Sequence, residues 1–344
     1  MSWVLGVDSG GSGLRFALGS TASDGTSAVT TVATTVSTEP VRTGPSGIDA
    51  GQLLARLLPA VDTLLAEAGA DPGGDRGGDP GAGGGRSTLS AVAIGAAGMA
   101  TLGDGLRAEL PSALERSLGV RRLALAADAV TAYAGALGQR PGVVVAAGTG
   151  MIALGTDLTG WQRADGWGHL LGDCGGGAWI GRAGLEAAMR AYDGRRGGSP
   201  ALLSRMEAVF GPAPELPGLL YPRTDRPAVL ASFAPEVARC AVGDPVAEGI
   251  VSTAARHIAE AAAAVCPPSS ACEVALTGGL FGLGDPLLVP LRAELAGQLP
   301  HATTVSAAAD PLGGALLIAG ALATNALRLP YDARLLNVPT EQDG

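Results

Sequence analysis

The sequence predicts an α/β protein made of two similar halves, and three observations support this prediction. Short apolar runs alternate with segments of helical periodicity along most of the 344 residues, a pattern typical of sheets with parallel crossover connections. An apolar run at residues 4–8 leads into a turn of glycine and serine at 9–13, and a second run at 143–147 leads in the same way into 148–150. The length is also sufficient for two domains that each bury a core.

The elements of the first half follow from periodicity and from the apolar runs. We predict strands at residues 3–7, 14–18, 28–36, 89–95 and 122–126, and helices at 52–68, 106–118 and 129–137. The first two strands form a hairpin around the glycine turn in this prediction. Residues 70–85 are almost entirely Gly, Asp, Pro and Arg without periodicity, which predicts a flexible surface insertion.

The second half repeats the strand–turn–strand start and then becomes mainly helical. We predict strands at residues 143–147, 151–155 and 273–276, a long helix at about 177–191, further helical segments up to Cys266, and a last helix through Ala326. The last helix begins after Asp310, at the sequence Pro311-Leu312-Gly313-Gly314.

Composition excludes several classes of function. All 23 basic residues are arginines, so any chemistry that needs a P-loop, kinase-type or Schiff-base lysine is excluded. The net charge of -9 argues against a nucleic-acid partner and against an anionic membrane surface. The four cysteines lack CxxC spacing, which favours a reducing, cytoplasmic environment over disulfides or structural zinc. We expect neither a signal peptide nor a membrane span.

The first glycine turn is a candidate phosphate-binding site. Backbone N–H groups in such a turn are unshielded by side chains and can hold phosphate oxygens. We assign Gly10, Gly11 and Ser12 to phosphate, and Asp8 to Mg²⁺ through water, because Mg²⁺ prefers carboxylate and water oxygens. The alternative is an ordinary bend that carries an aspartate.

Two later turns extend this interpretation. Gly148, Thr149 and Gly150 repeat the first turn, and the Thr149 hydroxyl either donates to a phosphate or lies beside the substrate. Gly278 and Gly279 follow the late strand, where they form a simple tight turn or allow adenosine to approach the backbone closely.

Asp128 is the candidate for proton transfer. It stands between a short strand and a helical stretch, where aspartate is a good helix N-cap. The functional alternative is a general base that takes the proton of an acceptor hydroxyl during phosphoryl transfer. Position alone leaves both interpretations open.

The block from Asp165 to Gly181 is the most unusual stretch of the chain. It combines many glycines with two of the four tryptophans, a composition that does not suit a plain core segment. A glycine loop, an aspartate and a helix start can seat a polyhydroxylated ligand, with the Asp173 carboxylate accepting hydroxyl protons. His169 is a further contact in this interpretation or a structural residue, and Cys174 is a small buried residue.

Six segments carry a resemblance to a known family, namely residues 7–12, 127–129, 148–150, 166–173, 277–279 and 311–315. In this order they resemble the N-acetylglucosamine kinase branch of the BadF/BadG/BcrA/BcrD ATPase family, within the actin/hexokinase/Hsp70 superfamily. The block Gly166-Trp167-Gly168-His169-Leu170-Leu171-Gly172-Asp173 is the most specific of them.

The resemblance implies two ribonuclease-H-like lobes, a cleft between them that holds ATP·Mg²⁺, and a homodimer. It implies a kinase that phosphorylates the 6-hydroxyl of N-acetylglucosamine or glucosamine. It implies these site residues: Asp128 as catalytic base, and Gly98, Thr149, Gly166, Trp167 and Asp173 as sugar contacts. The lobes would comprise residues 1–122 plus about 311–330, and residues 123–310.

Three positions depart from the family pattern. Gly13 replaces a basic residue, with Arg15 two residues further on; Cys174 replaces an acidic residue; and Gly47 replaces an asparagine that contacts the sugar. Two alternative functions remain open from the sequence. One is an ATPase that activates a dehydratase or reductase through an iron–sulfur cluster, and the other is a non-catalytic sensor that binds ATP and sugar.

Overall fold

The computed structural model describes residues 2–10, 13–21, 29–37, 43–44, 47–69, 89–268 and 272–339. The chain forms two compact units. The first comprises Met1–Arg140, Leu158–Trp161 and Ala307–Gly344, and the second comprises Pro141–Asp157 and Gln162–Ser306. Gly11, Ser12 and the predicted insertion at 70–85 lie outside the described residues.

The strands and helices up to Arg140 include all those predicted, together with three short elements at residues 43–44, 47–48 and 99–102 that were not. They are β1 (Ser2–Gly10), β2 (Gly13–Thr21), β3 (Val29–Ser37), β4 (Thr43–Gly44), β5 (Gly47–Ile48), α1 (Ala50–Glu67), β6 (Leu89–Ala96), α2 (Met99–Leu102), α3 (Asp104–Leu118), β7 (Leu123–Ala127) and α4 (Asp128–Leu137).

The remainder of the chain is mainly helical. Its elements are β8 (Gly142–Ala147), β9 (Met151–Thr156), β10 (Trp161–Asp165), α5 (Gly177–Tyr192), α6 (Pro200–Phe210), α7 (Leu216–Leu220), α8 (Arg226–Ser232), α9 (Ala234–Cys240), α10 (Pro245–Val265), β11 (Cys272–Thr277), α11 (Asp285–Gln298), β12 (Ala302–Ser306), α12 (Pro311–Ala323) and β13 (Leu336–Asn337).

The first unit is built on a six-stranded mixed sheet in the order β13-β7-β6-β1-β2-β3. The predicted hairpin is confirmed, because β1 and β2 pair antiparallel along their whole length. Strands β6 and β7 continue the sheet in parallel to β1. Since β7 belongs to this sheet and α4 packs against α12, the first unit extends to Arg140, beyond the boundary after residue 122 that the sequence suggested.

Helix α12 packs closely against the first sheet and against α4. A Cβ added at Gly314 would overlap the carbonyl oxygen of Thr131 in α4. A Cβ added at Gly6 in β1 would lie only 2.6 Å from the amide nitrogen of Leu316. Gly314 therefore has a packing role, since it lets the backbones of α12 and α4 approach each other.

The second unit contains a five-stranded sheet in the order β10-β9-β8-β11-β12. Strands β8 and β9 form the second predicted hairpin, while β11 is parallel to both β8 and β12. The core between sheet and helices is made mostly of alanine, valine and leucine. In the described ranges, no helix is both long and apolar enough to span a membrane.

Candidate functional site

The carboxyl edge of the first sheet brings three of the predicted residues together. Asp8 lies near the end of β1, Gly98 follows the end of β6, and Asp128 follows the end of β7. These strands are adjacent and parallel, so their carboxyl ends meet at one edge of the sheet. In open α/β sheets this edge is where ligands bind.

A network of two carboxylates and one arginine occupies this edge. The Arg15 guanidinium donates through Nη2 and Nε to Oδ2 of Asp8 at 2.6 and 3.0 Å, and through Nη1 to Oδ2 of Asp310 at 2.5 Å. Arg15 stands opposite Asp8 in the β1–β2 ladder, and Asp8 is 9% exposed. A buried carboxylate needs such a partner, and Arg15 supplies it for Asp8.

Asp310 links this network to α12. Its Oδ1 accepts the backbone N–H of Gly313 at 2.9 Å, which makes Asp310 the N-cap of the helix. Its other carboxylate oxygen accepts from Arg15. Asp310 therefore connects the N-terminus of α12 to the pair formed by Arg15 and Asp8.

Asp128 is the first residue of α4, and Ala127 occupies the cap position, so Asp128 is not the N-cap. Its Oδ1 accepts the backbone N–H of Ala129 at 2.9 Å. The residue is exposed at the edge of the sheet, and neighbouring protein atoms partly desolvate its carboxylate. This desolvation is the main cause that raises the pKa of Asp128 to about 6, and the charge of Asp8 acts in the same direction.

The donor atoms at this edge fit a magnesium ion that keeps most of its water. Within the described ranges, no three His, Cys, Asp or Glu side chains converge as a metal centre. Mg²⁺ often uses only one or two carboxylates together with water and phosphate oxygens. Both bonds from Arg15 end on Oδ2 of Asp8, so Oδ1 of Asp8 is the oxygen that suits a water-mediated contact.

The second glycine turn is anchored by a helix of its own unit. The carbonyl oxygens of Gly148 and Thr149 accept from the backbone N–H groups of Gly177 and Ala178 in the first turn of α5, both at 2.9 Å. Gly148 also donates to the carbonyl of Gly150 at 2.9 Å. These bonds hold the backbone of the turn while the Thr149 side chain stays exposed.

Two aspartates close the loop between β10 and α5, which we call the glycine loop (residues 166–176). The Asp165 carboxylate accepts the backbone N–H of Asp173 at 2.5 Å and that of Cys174 at 2.9 Å. In turn, Oδ1 of Asp173 accepts the backbone N–H of Gly168 at 3.0 Å. Both aspartates have left-handed backbones, with φ of 60° and 54°. The loop conformation thus depends on both carboxylates.

Asp173 lies directly beside the second glycine turn. A Cβ added at Gly150 would lie 2.5 Å from Oδ2 of Asp173, so any larger residue there would displace the carboxylate. Partial burial is the main cause that raises the pKa of Asp173, and the charge of Asp165 adds to it. The structure therefore brings Gly148, Thr149 and Gly150 together with Asp173.

Trp167 extends from the glycine loop into solvent, with 60% of its surface exposed. The Arg163 guanidinium carbon lies 3.9 Å from the centre of its ring, within the distance of a cation–π contact. The neighbouring Gly166 donates its backbone N–H to the carbonyl of Met151 at 3.1 Å, which attaches the loop to β9.

In the turn of Gly278 and Gly279, which the sequence assigns either to adenosine or to a simple tight turn, the structure explains the glycine at one position. Gly278 has a φ of 106°, and an added Cβ would overlap the carbonyl oxygen of Ala147 at the end of β8. Gly279, in contrast, faces open space. The close approach at Gly278 is thus made by the chain's own backbone, and a contact of this turn with adenosine stays a prediction.

Sequence reasoning missed Asp165, Asp310 and the partners of Arg15. Asp165 stands at the start of the glycine loop, but its hydrogen bonds reach across eight and nine residues. Arg15 and Asp310 are 295 positions apart. The only feature of the sequence that could have indicated Asp165 and Asp310 is that each stands shortly before a glycine-containing segment.

Replacing Asp165 by alanine is expected to loosen the glycine loop. Two backbone N–H groups lose their acceptor, which costs about 1–3 kcal/mol for each buried donor left unpaired. We expect a lower free energy of unfolding and faster amide exchange at Asp173 and Cys174. Asp165→Asn is the matched control, because it keeps one acceptor oxygen; equal exchange rates in Asp165→Ala and the native protein would contradict this role.

The family follows from comparison with known proteins. The model of the BadF/BadG/BcrA/BcrD ATPase family matches residues 5–319. The chain belongs to this family. It is also 39% identical over 111 residues to the N-acetylmuramic acid/N-acetylglucosamine kinase of Clostridium acetobutylicum. That match covers 31% of this chain and about a third, 34%, of the length of the relative.

Similar solved structures include both kinases and a regulator. A protein of Chromobacterium violaceum assigned as an N-acetylglucosamine kinase is 28% identical, with a TM-score of 0.67 over 92% of this chain and 98% of that one. One of Porphyromonas gingivalis with the same assignment is 16% identical, with a TM-score of 0.61 over 94% and 99%. A ROK family transcriptional regulator, a homolog of the E. coli MLC protein, is 16% identical, with a TM-score of 0.54 over 95% and 78%. The fold of this family member is therefore that of sugar kinases, and its activity has to be argued from the site.

Proposed function

We propose that this protein is an ATP-dependent kinase that phosphorylates the 6-hydroxyl of an amino sugar, N-acetylglucosamine or glucosamine. The observation that carries the proposal is the carboxylate of Asp128 at the ligand-binding edge of the first sheet, with a pKa raised to about 6. A general base works best when its pKa lies near the working pH. The similarity to N-acetylglucosamine kinases supports the amino sugar.

The proposed reaction assigns a separate task to each group of residues. Asp128 accepts the proton of the sugar hydroxyl while the oxygen bonds to the γ-phosphorus of ATP, and ADP leaves. Backbone N–H groups of the two glycine turns bind phosphate oxygens, which a chain without lysine has to hold by other means. When bound, Mg²⁺ neutralises charge on the phosphates, with Asp8 as its water-mediated protein ligand.

The glycine loop has the chemistry required to hold the sugar. The Asp173 carboxylate and the exposed ring of Trp167 provide a hydroxyl acceptor and an apolar surface, and the loop is preorganised by Asp165. The left-handed Gly98, with φ of 75°, faces open space and is a further contact in this proposal.

A coupled assay of ADP release across hexoses and amino sugars tests the proposal. Phosphorus NMR of the product then identifies the phosphorylated hydroxyl. We expect turnover with N-acetylglucosamine or glucosamine and a phosphate on O6. ATP consumption without a sugar phosphate would favour the sensor or the activating ATPase instead.

The pH profile gives a second, independent check. Asp128 must be unprotonated to act as a base, so its raised pKa predicts that kcat/KM falls as the pH drops through about 6. Below that pH the loss should be tenfold per pH unit. A profile that stays flat down to pH 5 would exclude Asp128 as the base.

The activating-ATPase alternative finds no support at Cys174. Partial burial, together with the charges of Asp165 and Asp173, raises the pKa of this thiol. A bridging cluster also requires suitably placed cysteine thiolates, and Cys174 is the one cysteine of the glycine loop. We therefore place this alternative below the kinase.

A further inference from the structure

Two of the four cysteines lie where helix α10 connects to the second sheet. Cys266 follows the last residue of α10 as its C-cap, and Cys272 is the first residue of β11. Cys266 has an extended backbone, with φ of -69° and ψ of 122°, which is the conformation favoured before a proline such as Pro267. The chain therefore leaves the helix at one cysteine and enters the sheet at the other.

The register of the sheet and the side-chain contacts bring both thiols together beside a histidine. Cys272 is the partner of Ala302 in the parallel pairing of β11 with β12, and His301 directly precedes Ala302. The Nε2 atom of His301 lies 3.8 Å from Sγ of Cys266. The side chains of Cys266 and Cys272 are within hydrogen-bond distance of each other, and both pack in the apolar core of the second unit.

The two thiols have different surroundings. Cys272 is only 2% exposed, whereas Cys266 is half-buried and lies next to the exposed His301. Burial is the main cause that raises the pKa of Cys272 to about 12, and its hydrogen bond with Cys266 adds to it. Cys272 therefore keeps its proton, while Cys266 is accessible to solvent and has an imidazole nitrogen placed to accept its proton. Partial exposure beside a base is typical of reactive cysteines.

The pair is a dithiol rather than a metal centre. Both cysteines are free thiols in the structure. Across the part of the chain that the structure describes, no three His, Cys, Asp or Glu side chains are arranged to hold a metal ion, and this includes the two thiols with His301. The remaining chemistry of two adjacent thiols is oxidation to a disulfide.

We propose that Cys266 and Cys272 form a redox-active pair, which hydrogen peroxide converts reversibly into a disulfide. The Cys266 thiolate attacks a peroxide oxygen, so that an S–O bond forms, the O–O bond breaks, and the released hydroxide takes up a proton to become water. The Cys272 sulfur then attacks the sulfenic acid of Cys266. An S–S bond forms, the S–O bond breaks, and the hydroxide leaves as water with the proton of Cys272.

The sum of the two steps is that two thiols lose two electrons and two protons, which reduce one peroxide to two waters. In a reducing environment such a disulfide is transient rather than structural. The inference concerns the second unit alone and does not depend on the proposed kinase activity.

Mass spectrometry of the oxidised full chain tests the proposal. Because the chain has no lysine, trypsin cleaves only after arginine and leaves both cysteines on one peptide, residues 257–292, which contains no other cysteine. The protein is reduced, freed of reductant, treated with hydrogen peroxide, and then unfolded, alkylated and digested. We expect this peptide to be lighter by two hydrogen atoms and to carry no alkyl group. Treatment with dithiothreitol before alkylation should restore alkylation at Cys266 and Cys272.

Three variants assign the roles within the pair. Cys266→Ser should leave Cys272 unoxidised, and Cys272→Ala should stop at the sulfenic acid of Cys266, which dimedone labels. The control Cys240→Ser removes a half-buried thiol of α9 and should form the disulfide as the native protein does. Circular dichroism before treatment checks that each variant is folded, and the native protein decides the proposal without them.

Two results would overturn the proposal. One is alkylation of both Cys266 and Cys272 in the peroxide-treated native protein. The other is a disulfide that joins either of them to Cys174, to Cys240 or to a second copy of the chain, which non-reducing peptide mapping and electrophoresis would detect.

Discussion

Replacing Asp128 by asparagine is expected to lower kcat by about 10²–10⁴-fold, the usual contribution of a general base. The amide keeps the shape of the side chain and an acceptor for the N–H of Ala129, so the fold is retained. The loss falls on kcat because the proton is transferred only as the phosphoryl group moves. Steady-state kinetics with the best sugar of the panel measures it.

The stability of Asp128→Asn tests whether the pKa of Asp128 is raised in the folded protein. The folded-state pKa of Asp128 is raised, so the folded protein binds this proton more tightly than the unfolded chain does, and stability decreases as the pH rises from about 4 through 6. Asparagine carries no charge, so the variant does not lose stability in this way as the pH rises. At pH 8 we expect the free energy of unfolding of Asp128→Asn to equal or exceed that of the native protein.

Asp104→Asn is the matched control for Asp128→Asn. Asp104 is also the first residue of a helix, and its side chain is exposed. It should retain native kcat. If Asp128→Asn keeps more than a tenth of the native kcat, the assignment of the base is wrong.

Replacing Gly314 by alanine is expected to destabilise the first unit by on the order of 3 kcal/mol or more. The added methyl group would overlap the carbonyl oxygen of Thr131, and backbone cannot move aside as a flexible side chain does. Urea unfolding followed by circular dichroism measures the change.

Gly249→Ala is the control for Gly314→Ala. It lies inside helix α10, where an added Cβ meets open space. It should raise the free energy of unfolding by about 0.5–1 kcal/mol, since alanine favours a helix over glycine. A loss below 0.5 kcal/mol for Gly314→Ala would show that α12 and α4 separate easily. Because Asp310, the N-cap of α12, also pairs with Arg15, we expect activity to fall together with stability.

Much of the fold was predictable because its signals are local. The two hairpins, the long helix after the glycine loop and the last helix follow from consecutive residues, and the structure confirms them within a few positions. The placement of β7 was not predictable in this way. It depends on which strand β7 pairs with. Because β7 pairs with β6, it belongs to the first unit, whose first segment ends at Arg140.

The candidate site was likewise predictable only where its signals are local. The sequence by itself identified the chemistry-bearing residues, Asp8, Asp128 and Asp173, and the glycines beside them, because strand ends followed by turns mark the edge of a sheet. It also excluded lysine from any phosphate contact.

Only the tertiary structure decided what each group does to its neighbours. Arg15 is occupied by Asp8 and Asp310, Asp165 closes the glycine loop, and desolvation sets the pKa of Asp128. The physical reason is that hydrogen bonding and desolvation depend on distances in space. Folding brings close together residues that the chain separates by as many as 295 positions.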